Sequence, residues 1–267
     1  MAAQKLATIS VEKPWGMTNL PEPFTAATPL RIGEIWFQPR AEEPLLVKYL
    51  FTSERLSIQV HPSDEDARAR GLPAGKEECW YILDAEPGAS IGIGTVRPLD
   101  VEALRAAANS GEIEKLIQWH AVEAGMFFHI PAGTIHAIGG GISLVEIQQN
   151  SDITYRLYDY GRPRELNIVD GAAVASARPM AAELRRRVDP AVSVRLLESG
   201  HLGIAHVVAN DLSPLAADLG PMTIVPLAGT VAASGVSATP GECLWIDDIA
   251  ALVVSPDARF LAAWHRS

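Results

Sequence analysis

The sequence predicts an all-β fold of the sandwich or barrel type, and three observations lead there. Short runs of β-branched, aromatic and aliphatic residues recur along the whole of its 267 residues, and runs of this kind bounded by turn residues are strands. Its 21 glycines and 19 prolines fall between those runs rather than in one linker, which is where turns need them. Helical periodicity is confined to a few short stretches. With 48% apolar residues the chain can fill a core, so a disordered polymer is excluded.

In chain order, strands are expected at 45–50, 56–60, 80–83, 126–130, 142–147 and 155–158, and again at 204–208, 222–226, 243–246 and 251–254. Ser63, followed by Asp64, Glu65 and Asp66 and then by Gly71, marks a short capped helix. The stretch 100–116, preceded by Pro98 and broken by Asn109, Ser110 and Gly111, reads as two short helices inserted between strands. The stretch 179–188, with Arg185, Arg186 and Arg187, reads as a third helix presenting a solvated basic face. Around 170–194 the pattern thins into alanine, arginine and proline, then strands resume without histidine or acid clusters. Two units are therefore expected, residues 1–170 and 171–267. Aligning Gly125 through Ile130 with Gly241 through Ile246 sets His136 opposite Leu252, a faint repeat in which the second half keeps the framework without the chemistry.

Lys plus Arg (22) against Asp plus Glu (32) gives a net charge of −10, so no overall positive field exists to hold nucleic acid or anionic lipid. An anionic ligand must meet local cations. Two cysteines, Cys79 and Cys243, are too few for a disulfide framework, and the opening stretch has no apolar signal-like core, so a cytoplasmic protein is expected. Charged residues such as Lys48, Glu54, Arg55 and Asp84 keep every apolar run short of the eighteen or so residues of a membrane span.

The residues that could carry chemistry lie on strands. Alternation over Leu56 to Pro62 puts Leu56, Ile58 and Val60 on one face and Ser57, Gln59 and His61 on the other. Three polar side chains in a row either face water or converge on something. A second strand sets Glu78 beside Trp80 and Ile82. A turn at Pro131, Ala132 and Gly133 is followed by Thr134, His136 and Ile138 on one face. Gln59, His61, Glu78 and His136 are thus four candidate ligands on three strands; two imidazoles and a carboxylate suit Zn²⁺ or another divalent first-row metal, and Gln59 adds a neutral oxygen. His129 is offset and reads as structural, while His120, His201, His206 and His265 have no acid or histidine cluster around them. Glu146 falls in the middle of an apolar strand, where it needs a cation, a metal or a substrate hydroxyl; Arg156 is the natural partner, as a salt bridge if nothing else.

The ordered segments SIQVHP, GKEECWY, IPAGTIHAI and EIQQNSDITYRLYDYGR, with KPWG near the start and IGEIWF at Ile32 to Phe37, resemble the short bacterial form of type I mannose-6-phosphate isomerase, of the cupin superfamily. The resemblance runs from about Lys13 to Asp170. It implies a double-stranded β-helix (cupin jelly roll) in two tandem barrels with short helical insertions, the first holding zinc through Gln59, His61, Glu78 and His136 and the second, degenerate, without ligands. It also implies that Lys76, Glu146 and Arg156 are catalytic and that Ser57 and Lys48 contact the substrate, a sugar phosphate. The long-form helical insertion is replaced here by about 100–116.

Aldose–ketose isomerisation moves one proton between C1 and C2 through a cis-enediol. A dication helped by Lys76 or Arg156 would stabilise the developing oxyanion, and Glu146 or Lys76 could move the proton. Two other readings compete: a non-catalytic sugar-phosphate-binding cupin protein, which would not need Lys76, Glu146 and Arg156, and a redox-metal oxygenase, for which Gln59 is a poor ligand.

Overall fold

The structure, a computed structural model, describes residues 2–25, 29–41, 43–216 and 219–266. It is mostly β, with 44% of residues in strands and 13% helical, arranged in four sheets. At the centre is a seven-stranded sheet in the order Arg185–Arg187, Met126–Ile130, Glu78–Ala85, Ile142–Gln149, Leu45–Thr52, Ile32–Phe37 and Thr8–Met17, all antiparallel. Leu45–Thr52 and Ile142–Gln149 are buried at every position, because both faces of this sheet are covered. Their sequences accordingly read as nearly unbroken apolar runs rather than alternating ones.

On one face lies a five-stranded sheet, Tyr155–Tyr158, Ile58–Val60, His136–Ile138, Ser90–Thr95 and Ile117–Ala121. The core between the two sheets includes Leu50, Trp80, Ile82, Phe128 and Leu144 from one and Ile91, Ile93 and Ile138 from the other. Helices Val101–Ser110 and Ile168–Val174 cover the outer face of the smaller sheet, burying Leu104, Ala107 and Ala172 against Ile58, Val60 and Leu157. On the other face of the central sheet lies a six-stranded sheet, Ala3–Lys5, Leu244–Ile246, Met222–Ala228, Arg259–His265, Leu202–Val208 and Val194–Glu198, joined through Val47, Tyr49, Cys79, Val145, Ile204, Val225 and Leu261. A three-stranded sheet of Val236–Ala238, Val231–Ala233 and Leu252–Val254 packs beyond it.

The ten expected strands are all present, several longer and three shorter by one or two residues, and they are joined by strands the sequence reading did not place, among them Ser90–Thr95, Ile117–Ala121, Val194–Glu198 and Arg259–His265. Ser63 caps Asp64–Ala69 by accepting from the Asp66 amide, and Gly71 follows at φ 74°. The two inserted helices are Val101–Ser110 and Ile113–Leu116. The stretch 179–188 is not a helix. It forms a 3-10 turn at Ala182–Leu184 and then an edge strand, Arg185–Arg187, paired with Met126–Phe128. Free backbone groups on the neighbouring strand outweigh arginine's helix preference there, and three exposed arginines discourage a further strand from adding. Each expected unit also lends a strand to the other: Ala3–Lys5 pairs with Leu244–Ile246 in the six-stranded sheet, while Arg185–Arg187 joins the central one. Among the described residues no helix is long and apolar enough to cross a membrane.

Candidate active site

The candidate ligands meet between the central and five-stranded sheets. Ile58 and Val60 pack outward against the helices, so alternation turns Gln59 inward, and His61 follows on the same side. His136 is the antiparallel partner of Gln59, which sets the two side chains next to each other. Glu78 comes from the facing sheet, at the start of Glu78–Ala85. One potential ligand atom from each of His61, Glu78 and His136 lies within 4.8 Å of the others, and the three residues are at most 1% exposed.

The hydrogen bonds at the far sides of the rings fix their orientation. His61 Nδ1 donates to the Ile153 carbonyl at 2.7 Å and His136 Nδ1 to the Thr134 carbonyl at 2.9 Å, which leaves both Nε2 lone pairs turned toward Glu78. His61 Nε2 stands 3.4 Å from Glu78 Oε2, and His136 Nε2 stands 3.4 Å from Glu78 Oε1. Burial pushes the pKa of His61 down to about 3, assisted by Lys76, and burial also lowers that of His136, so both rings are neutral. Burial alone would raise the Glu78 pKa, but Lys76 and the two imidazoles outweigh it and hold the carboxyl ionised. The result is a carboxylate facing two lone pairs, with Glu78 Oε1 and His61 Nε2 buried and without a hydrogen-bond donor, and Glu78 Oε2 facing only Lys76 beyond them. Such groups are expensive to bury unsatisfied, and a dication among them would satisfy all of them at once. The donor set therefore fits a metal ion. Gln59 stands beside it: its amide contacts His136 Nε2 at 3.2 Å through Nε2 and accepts from Ser57 Oγ through Oε1 at 3.1 Å, and turning the amide over would present oxygen to the cluster.

Beside the cluster, and lined by its neighbours Gln59 and Lys76, is a cavity of about 260 Å³. Its wall includes Lys13, Lys48, Lys76, Arg156 and Arg164 against Glu34, Glu146 and Asp152, a local excess of cations in an acidic protein. Lys76 Nζ lies 3.0 Å from Glu78 Oε2 and 3.8 Å from Glu146 Oε1. Burial works to lower the pKa of this amine, yet Glu146 and Glu78 overcome it and raise it, so Lys76 is charged.

The expected Glu146–Arg156 pair does not form. Glu146 instead meets Lys48 at 3.2 Å and accepts from Trp80 Nε1 at 3.1 Å, because Lys48 and Trp80 are its direct neighbours on the two adjoining strands. Arg156 sits on the opposite sheet across from Gln59; it reaches the same cavity, where Nη1 donates to the Glu165 carbonyl at 2.9 Å and Nε is buried without a partner.

Asp64 and Gln149 were not singled out from the sequence, where Asp64 reads only as part of a helix start. Asp64 Oδ1 accepts from the Gly75 amide at 2.8 Å and from Gln149 Nε2 at 3.1 Å, and Gln149 Oε1 accepts from the Glu77 amide at 2.8 Å. These bonds clip the backbone on both sides of Lys76. The sequence signal was present only as the second glutamine of the EIQQN segment. His129 points away from the cluster to Glu77, as a structural residue would. His201, expected to stand alone, comes within 3.8 Å of Asp64.

A layered β fold with a buried His–Glu–His cluster next to a cationic cavity defines the class, and the whole-chain comparison agrees in fold. The crystal structure of the mannose 6-phosphate isomerase from Bacillus subtilis superposes with a TM-score of 0.76, covering 98% of this chain and 99% of that one at 22% identity, so the expected cupin-type fold is present. In sequence the chain is 46% identical over 132 residues to mannose-6-phosphate isomerase ManA of Bacillus subtilis (strain 168), covering 47% of this chain and 42% of the relative. It is 44% identical over 131 residues to the mannose-6-phosphate isomerase of Streptococcus mutans, covering 47% and 41%. The resemblance read from the motifs thus holds, over a stretch that spans about two fifths of those relatives' length. No protein-family model matches the chain.

Proposed function

We propose that the protein is a metal-dependent aldose–ketose isomerase that interconverts mannose 6-phosphate and fructose 6-phosphate, with residues 1–170 as the catalytic unit and 171–267 as a second unit without metal ligands. The observation that carries this reading is the buried cluster of His61, Glu78 and His136, whose neighbours Gln59 and Lys76 line a cavity walled by cations. Gln59, His61, Glu78 and His136 would hold the ion, and the neutral imidazoles with one carboxylate favour Zn²⁺. When bound, the ion supplies Lewis-acid stabilisation to sugar oxygens.

The remaining roles follow from what each side chain has left to give. Lys13, Lys48, Lys76 and Arg164 already face carboxylates, whereas Arg156 has a buried donor to spare, which suits the phosphate, with Ser57 nearby on the same wall. Charged Lys76 suits stabilisation of an enediol oxygen, leaving Glu146, oriented by Lys48 and Trp80, to carry the proton between C1 and C2. Two buried free cysteines fit a reducing cytoplasm.

Incubating the protein with mannose 6-phosphate and with fructose 6-phosphate, with and without a chelator, tests the reading. Interconversion that the chelator stops, accompanied by exchange of a C2 deuteron with water, is expected. Binding of both sugars with no turnover under any metal would instead identify a sugar-phosphate-binding protein.

A further inference from the structure

A second cavity, of about 290 Å³, opens between the central and six-stranded sheets, and it shares no wall residue with the first. The inner faces of both sheets are aliphatic over most of their length. Leu202 and Ile204 on one strand, Leu261 and Ala263 on the next, and Cys79 on the central sheet all lie in the shared core. At one end the same alternation delivers different residues: His206 after Ile204, Arg259 before Leu261, and Tyr81 after Cys79. The His206 ring stacks on Tyr81, with centroids 6.2 Å apart, and Tyr81 and Arg259 line the cavity.

Arg259 is half-buried and has no ion-pair or hydrogen-bond partner among the described residues. The other cation of this wall, Arg187, is taken by Glu123. His206 is fully buried; its Nδ1 donates to the Val192 carbonyl at 2.9 Å and its Nε2 has no partner. Asp189, the acid near His206, is exposed and occupied by the Ala191 amide. An inward-facing guanidinium without a counter-charge at the rim of an apolar core is not explained by packing, since an aliphatic residue would continue the face at lower cost.

We infer that this inter-sheet cavity is a second ligand site, for a small molecule bearing a carboxylate or a phosphate that seats on Arg259 with the Tyr81 hydroxyl as a further donor. Its volume is at the small end of ligand pockets, which run from roughly 300 Å³ upward, so the ligand is of metabolite size. Because its walls come from both sheets, the occupant ties them together and stabilises the fold by mass action.

The test is calorimetry and thermal unfolding of the full-length protein with inorganic phosphate and, in a separate arm, acetate, which distinguishes the two sources of the anion. Arg156→Gln is used as the background so that the first cavity does not compete. The expected result is a saturable rise in unfolding midpoint with at least one anion, weakened about tenfold or more by Arg259→Gln and less by Arg259→Lys, while turnover of the single Arg259→Gln variant, with Arg156 intact and no inorganic phosphate or acetate added, is unchanged. Tyr81→Phe, which conserves the ring stack, should weaken binding by a few-fold and serves if Arg259→Gln does not fold. Absence of binding in both arms, or binding that Arg259→Gln and Tyr81→Phe leave within twofold of the background protein, overturns the inference.

Discussion

His136 and Leu252 fall opposite each other when the two halves of the chain are aligned, and the two positions have the same backbone setting but opposite surroundings. Gly125 and Gly241 both take left-handed turns, at φ 83° and 91°, ahead of the strands Met126–Ile130 and Leu244–Ile246. Each is followed by a three-residue strand in an antiparallel pair. In the first half that pair sets His136 against Gln59; in the second it sets Leu252 against Ala233. Main-chain hydrogen bonds make both pairs, so the framework is indifferent to whether the side chains are ligands or aliphatics. The comparison shows that the candidate site depends on which side chains the strands of two facing sheets carry rather than on the strand framework itself.

The largest effect that would sharpen this contrast is loss of the cluster. His136→Ala or Glu78→Ala should abolish stoichiometric metal binding and lower turnover by at least about a hundredfold while leaving the circular dichroism of a β protein; metal analysis with a coupled isomerase assay reads both. Full activity of the metal-depleted His136→Ala/Glu78→Ala protein would remove the distinction between the halves. Next is Arg156→Lys, which keeps the charge but loses the planar fork and should cost about ten- to a hundredfold in kcat/KM. Unchanged steady-state constants would show that Arg156 does not meet the phosphate.

A smaller effect is expected from the clip around Lys76. Asp64→Ala should lower kcat roughly tenfold with metal content intact, and Asp64→Asn, which can still accept from the Gly75 amide, should restore most of it. Equal losses in the two variants would mean that charge, not positioning, is what Asp64 provides. Without metal, stability should decline as pH falls from about 6.5 toward 3. The His61 pKa is lowered by burial, so the unfolded chain takes up the proton first and acid favours unfolding. His61→Gln should flatten that part of the pH–stability curve. The smallest effect is at the opposite position: Leu252→Met should change stability by less than about 1.5 kcal/mol, with metal stoichiometry and turnover unaltered. Altered stoichiometry there would show the second half to be chemically active.

Part of this was readable from alternation alone. Leu56 to Pro62 could turn its polar residues only to one side, so Gln59 and His61 were placed together before any partner was known. The partners themselves were less accessible. Arg156 was the natural counter-ion for Glu146 along the sequence, yet the register brings Lys48, 98 positions away, directly beside it. The basic stretch 179–188 carried a helical reading, and only an open edge at Met126–Ile130 turned its end into a strand. Asp64 looked complete as part of a helix start, and its second task became visible only with Gly75 and Gln149 in place.

The sequence by itself determined the all-β class, the positions of about half of the strands, and which side chains could serve as ligands, because strand periodicity and ligand chemistry are local properties. Tertiary structure alone decided which carboxylate faces which cation, which atoms are left buried without partners, and where Tyr81, His206 and Arg259 come together between two sheets. Those depend on strand order and register, which hydrogen bonds between residues far apart in the chain establish and which no window of sequence contains.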